Sequence, residues 1–249
     1  MKLSKLGFLV IVFFCFVTNV LTFAICPLLA QNNIEPTPIR VGEVLTFSAR
    51  IKRIPAGSQT MRVVEKTTLN GQSVYHLASA ARTSRIFSWI YKFEDSRESY
   101  VTTRQFQPLR YVKNIVDKKY KANVEIDFDI ASGKARLSKN QKELPELEAP
   151  IGIQDELSML YLFRIKELEM GEIYTFPALI GTKVVDIQVK AVRREKSDTI
   201  LGELETIVLR SSHGYMVWLT DDERRIPVRI EADTKIGKLV GILKKVDYI

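Results

Sequence analysis

The chain has 249 residues, is 46% hydrophobic and carries a formal net charge of +8. Its two cysteines, Cys15 and Cys26, both lie within residues 1–30. The body of the protein is therefore closed to thiol catalysis, disulfide stapling and cysteine-ligated metal. Its basic residues are interspersed with acids rather than blocked, the pattern of a solvated basic surface with some pull towards anionic headgroups or polymers.

The chain opens with a short basic segment, Met1-Lys-Leu-Ser-Lys5, followed by a run over residues 6–30 without a charged side chain. That is the layout of an export signal, with a cut after Ala30. The run is also long enough to cross a bilayer, so the alternative is a retained anchor at the inner membrane through residues 6–30. Either way the globular part is expected outside the cytoplasm, in the periplasm, because the basic end stays inside. Cys26 follows Ala24-Ile25, and the bulky isoleucine speaks against lipidation there. Residues 31–40, rich in proline and asparagine, read as a flexible tether, and residues 41–249 as a single β domain.

Within that domain, residues 42–51 alternate Val44, Thr46 and Ser48 with Leu45, Phe47 and Ala49, a strand with one apolar face. Ile54-Pro-Ala-Gly57 reads as a turn by its proline and glycine. Residues 58–69 form a strand ending at Asn70-Gly71, a strong hairpin signal, and 73–83 form its partner. Aromatic-rich residues 84–93 fit a short helix or a strand. Strands follow at 97–103 and 109–116, around a Gln107-Pro108 turn, and at 121–130, where Val124, Ile126, Phe128 and Ile130 share a face. Ser132-Gly133 turns the chain into 134–138, and 139–150 is a polar, proline-flanked connection. Residues 154–170 change period. Leu157, Leu160, Tyr161, Ile165 and Leu168 fall at helical spacing, with Asp155 to cap the start and Gly171 to close the end. This predicts a helix of about four turns laid on the sheet as a lid. Strands at 172–176, 184–195, 204–211 and 238–248 complete the chain, with the clearest hairpin at 214–230, strand, charged turn, strand. The fold class is mainly β: a strongly curved antiparallel sheet, an open barrel or β-spiral, with one main helix packed on it.

Catalytic and metal chemistry find little support. Ser211-Ser212-His213-Gly214 lacks the nucleophile-elbow pattern and reads as a polar turn. Asp127 and Asp129 lie on a solvated strand face. Asp221-Asp222-Glu223 is neutralised at once by Arg224-Arg225, as in a salt-bridged turn rather than a calcium site. There is no Walker phosphate loop, and export without a recognition fold argues against nucleic acid. No enzyme, cofactor or metal is expected. What remains is concavity, since a sheet curved enough to close holds side chains or one small ligand. Trp89, Tyr91, Phe93, Tyr161, Phe163, Met216 and Trp218 either line such a cavity or fill it. The ligand-binding candidates are Trp89, Tyr161, Arg164 and Trp218, with Arg85 and Arg164 placed to meet an anionic headgroup.

Several motifs share an order and spacing: Gly42-Glu43, Ala56-Gly57, Asp155-Glu-Leu-Ser158 before Leu160-Tyr-Leu-Phe-Arg164, and Val217-Trp-Leu-Thr-Asp-Asp222 before Arg225-Ile-Pro-Val228. Over nearly the whole body of the chain they resemble a bacterial exported family known only as a domain of unknown function (thirty-one-oh-eight). Ser58-Gln-Thr-Met61 departs from it, standing where smaller, more apolar residues are expected. The resemblance implies an envelope-associated protein with a curved sheet like those of periplasmic lipoprotein carriers, and it carries over no catalytic residue. Two functions are left open: a non-enzymatic exported protein holding a lipid-like ligand, or a structural scaffold with a filled core that docks on an envelope protein partner. An open apolar groove inside the sheet would favour the first.

Overall fold

A computed structural model of the protein describes residues 38–52, 54–89, 91–234 and 237–249, and Thr37–Ile249 forms one compact unit. The expected export signal or anchor and most of the tether lie outside the described residues. The tether's last residues belong to the fold, since Ile39 is buried in the core.

The chain forms β1 (Glu43–Ile51), β2 (Ile54–Leu69), β3 (Gln72–Thr83), β4 (Phe93–Thr102), β5 (Pro108–Asp117), β6 (Tyr120–Asp129), β7 (Lys134–Lys139) and β8 (Lys142–Glu148). After these come β9 (Gln154–Asp155), α1 (Ser158–Ile165), β10 (Ile173–Ile180), β11 (Lys183–Thr199), β12 (Gly202–Ser211), β13 (Tyr215–Thr220), β14 (Pro227–Thr234) and β15 (Gly237–Tyr248). All fifteen strands join one sheet in the order β8 through β1, then β15 down to β9. Two meanders are thus zipped together where β1 pairs with β15, from Glu43 opposite Tyr248 to Ile51 opposite Leu239. The pairings are antiparallel except that of β9 with β10. The sheet is curled but not closed: its edges are β8 and β9, and β8 lies against β11 while β9 lies against β5.

Period-two patterning explains the inner face. Leu45 and Phe47, Met61 and Val63, Val124, Ile126 and Phe128 all join one large cluster. Met61 is buried there and Gln59 bonds Ser79, so the unusual stretch after Gly57 packs well. Strands β10 to β13 are covered on both faces. Val208 and Trp218 enter the large cluster, while Ile207, Leu209 and Leu219 form a second one with Phe163 and Leu168. The hairpin at 214–230 therefore buries both faces of its first strand, not one.

Three expectations need correction. Residues 54–57 are not a turn: the chain reverses earlier, and Ile51 pairs directly with Ile54. Gly57 serves instead a close approach of β2 to β3, because a Cβ there would sit 2.1 Å from the Arg82 carbonyl oxygen. Gly57→Ala should therefore cost about 2 kcal/mol or more in chemical denaturation. Gly71→Ala, with φ of +75° but nothing within 4 Å, should cost about 1 kcal/mol for its left-handed backbone alone. Second, 139–150 is not a loop. Asn140 and Gln141 take positive φ in a tight turn, and β8 follows as an edge strand, where Pro145 lacks no ladder donor that matters. Third, the helix has two turns, not four. Gln154–Asp155 is strand, and Lys166 turns extended at φ −80° and ψ 139°. Leu168 is still buried, in the second cluster, and the Gly171 N–H goes to the Ala191 carbonyl instead of closing a helix. A sheet surface offering both burial and backbone partners outcompetes two further helical turns.

Candidate functional site

The short edge strand β9 is where the curled sheet is fastened. Asp155 is fully buried. Its carboxylate accepts the backbone N–H groups of Leu157 and Ser158, both at 2.8 Å, and the Ser99 hydroxyl of β4 at 2.5 Å. Ser158 Oγ returns the bond by accepting the Asp155 N–H, the reciprocal geometry of a capping box. The next residue, Glu156, takes Lys113 Nζ of β5 at 2.7 Å, Arg97 Nη1 of β4 at 3.2 Å and the Gly181 N–H. Arg97 Nε also meets Asp95 at 2.7 Å, and Gln154 Nε2 donates to the Phe106 carbonyl. Side chains, not backbone ladders, thus hold one edge of the sheet to the middle of its other half.

Electrostatics differ between the two neighbouring acids. Burial pushes the Asp155 carboxyl up to about 6, against the lowering effect of Ser99 and the two N–H donors. Burial also works against Glu156, but Arg97 and Lys113 outweigh it and hold its carboxyl below the usual range. Tyr111, packed beside this cluster, is raised by its burial, and its hydroxyl has no hydrogen-bond partner among the described residues.

A second tie joins α1 to the start of the domain. Arg164 clamps Glu43 in a bidentate pair, Nη1 to Oε1 at 2.5 Å and Nη2 to Oε2 at 2.8 Å, with both side chains almost wholly buried. Nη2 also donates to the carbonyls of Pro38 and Arg224. The turn that supplies Arg224 is itself bound up by Asp222, which accepts the Thr220 hydroxyl and the N–H groups of Arg224 and Arg225.

The four residues expected to line a ligand cavity do not come together as one. Arg164 is engaged by Glu43 and stands 5.4 Å from the ring centre of Tyr161, itself 1% exposed. Trp218 is buried in the same cluster as Tyr161, donates to Glu195 at 2.5 Å and lies under the Arg229 guanidinium. Trp89, by contrast, is 91% exposed on a one-turn 3-10 helix, Phe87–Trp89. A small pocket lined by Gln107, Phe128, Ala149 and Ile153 amounts to about 10 Å³, room for one water. A depression of about 430 Å³ is open and polar, lined by Lys166, Glu167, Glu169, Glu172 and Tyr174.

His213 Nδ1 lies 3.0 Å from Ser212 Oγ on an exposed turn, but that oxygen also accepts the Gln188 N–H. His76 stacks on Tyr100 and meets Glu98. Arg194 and Arg224 neutralise Asp221 and Asp222, as a salt-bridged turn requires. Among the described residues no three histidine, cysteine or acidic side chains are grouped to hold a metal ion. The cluster at Asp155 and Glu156 was legible only indirectly. Asp95, Arg97 and Ser99 alternate onto the same face of β4 as Val101, a polar row aimed at the core that needed internal partners.

A curled antiparallel sheet fastened by buried side-chain ties defines a β-barrel-like protein. The family described as Protein of unknown function (DUF3108) matches residues 46–244, and the chain belongs to it. The motifs that carried the resemblance now have places: Glu43 and Arg164 form one tie, Asp155 to Ser158 the other, and Asp222 caps the turn between β13 and β14. Among solved structures, the chain is similar to a beta-barrel-like protein of domain of unknown function DUF1849 from Brucella abortus. That likeness has a TM-score of 0.56 at 11% identity, covering 85% of this chain and 99% of the other, and shows the fold alone. No curated protein matches.

Proposed function

We propose that the protein is a non-enzymatic, exported envelope protein whose filled β scaffold acts through its outer surface, docking on an envelope partner. The observation that carries this reading is that Tyr161, Arg164 and Trp218 are packed into the core, with Arg164 held by Glu43 and Trp218 by Glu195. A lipid-like molecule inside the sheet would need Arg164 to release Glu43 and Trp218 to release Glu195, and the small pocket at Phe128 has room for one water. The basic first residues and the charge-free run after them support export, and among the described residues no helix is long and apolar enough to cross a membrane.

Crosslinking in cells, followed by fractionation, tests the proposal. The protein is expected in the envelope fraction with one protein partner in stoichiometric yield; recovery from the cytoplasm would overturn it. The absence of catalysis is checked separately. His213→Ala, with the fold retained by circular dichroism, should complement a deletion strain fully, whereas loss of complementation would point to a hydrolase built on Ser212 and His213.

A further inference from the structure

In an antiparallel meander every second connection falls on the same rim. The connections β1–β2, β3–β4, β5–β6 and β7–β8 therefore line one edge of the sheet, with successive tips roughly 10 Å apart. Three of them are two-residue turns, but β3–β4 spans residues 84–92 and stands out from the rim. Two of its apolar side chains face solvent: Ile86 is 86% and Trp89 is 91% exposed.

The tip is nevertheless ordered. Ser84 Oγ accepts the Phe87 N–H, Ser88 Oγ donates to the Arg85 carbonyl, and the Tyr91 N–H bonds Phe87 O. Backbone bonds tie the loop to both neighbouring tips, Ser84 to Ala56 and Lys118 to Lys92. Near the first of these, Ile54 at the start of β2 is 60% exposed. Cations surround the apolar point. Arg85 and Lys92 share the loop, Lys118 sits 4.7 Å over the Tyr91 ring, and Lys119, Lys52 and Lys142 continue along the rim, all six exposed. The rim's acids are Glu94, paired with Lys92, Asp117, bonded to the Tyr91 hydroxyl, and Glu143. The balance is cationic.

We propose that this rim docks on an anionic lipid bilayer surface, with Trp89 and Ile86 entering the headgroup boundary and Arg85, Lys92, Lys118 and Lys119 meeting lipid phosphates. Charge composition selects the occupant. Lysine is depleted in protein–protein interfaces, whereas each Lys or Arg near an anionic leaflet contributes about 1 kcal/mol of attraction. Tryptophan flanked by cations is the side-chain set of a membrane–water interface. The inference rests on the proposed export only for where the contact occurs.

The test uses residues 37–249, since the described core and both buried ties lie within that compact unit. Co-sedimentation is measured with vesicles of phosphatidylglycerol and phosphatidylethanolamine, and with neutral phosphatidylcholine vesicles. Trp89 and Trp218 are the only tryptophans, and Trp218 is buried, so Trp89 reports insertion through a blue-shifted emission. Expected are binding to the anionic vesicles, weakening with salt, the blue shift, and at least roughly ten-fold weaker binding for the Ile86→Ser/Trp89→Ser double variant. These side chains are exposed, so the variant should keep its fold. No binding to anionic vesicles, equal binding to neutral ones, or binding unchanged in the double variant would each overturn the proposal. A crosslink from position 89 to a protein, without vesicle binding, would reassign the rim to a protein partner. Failure here with export confirmed leaves the scaffold reading standing, and a cytoplasmic location with vesicle binding intact would do the reverse.

Discussion

Replacing Arg164 with methionine should destabilise the fold by about 3–5 kcal/mol, the usual consequence of leaving one half of a buried ion pair without its partner. Glu43 would be left with its carboxylate inside the protein and no cation, and the carbonyls of Pro38 and Arg224 would each lose a donor. Replacing both partners, Glu43→Met with Arg164→Met, should recover most of that loss, because the uncompensated charge disappears. About 1–2 kcal/mol should remain missing for the two carbonyls. Equilibrium urea denaturation of the two single variants and the double variant measures the coupling. Additive losses would mean that the pair is not the tie between α1 and the start of β1.

The second large effect is one of pH. An aspartate ordinarily titrates near 3.8, and in the folded protein Asp155 titrates at about 6. Between those values the folded state keeps a proton that the unfolded state has released. This group's contribution is therefore fully present below the lower value and is lost as pH rises through the higher one. Over that window the loss amounts to about 3 kcal/mol. Glu156, Asp222 and Glu231 act in the opposite sense, because their carboxyls are held low and their stabilisation is lost as pH falls. The comparison with Asp155→Asn isolates the first effect. Asparagine keeps an oxygen for the Leu157 and Ser158 N–H groups and offers an N–H to Ser99 without a charge. From pH 4 to pH 7 the stability of the natural protein relative to this variant should fall; parallel curves would show that Asp155 is already ionised in the folded state, with no raised carboxyl.

Much of the sheet was legible because strand burial is written in alternation. Val124, Ile126 and Phe128 announce their face, and Asn70-Gly71 announces its turn. The errors share a cause, in that local signals were overridden by partners distant in sequence. Pro55 and Gly57 look like turn residues until β3 is known to pass so close that no side chain fits at position 57. Leu168 continues a helical stripe, yet the same leucine is buried in an extended segment once β11 supplies the surface. The sequence also shows Glu43 and Arg164 as ordinary surface charges, because nothing local reveals that 121 residues of chain fold back to join them. Arg164 reads as a contact for a bound ligand's anionic headgroup for the same reason. The aromatic residues read as one pool for the sheet's interior, and the structure divides them. Tyr161 and Trp218 fill it, while Trp89 stands outside on the rim.

A scaffold filled by its own side chains should carry nothing else. Native mass spectrometry of the protein purified gently from its own cells should give the mass of polypeptide only, with or without a protein partner, and no added small molecule before or after mild activation. A stoichiometric added mass that is released as an apolar molecule on denaturation would contradict the account.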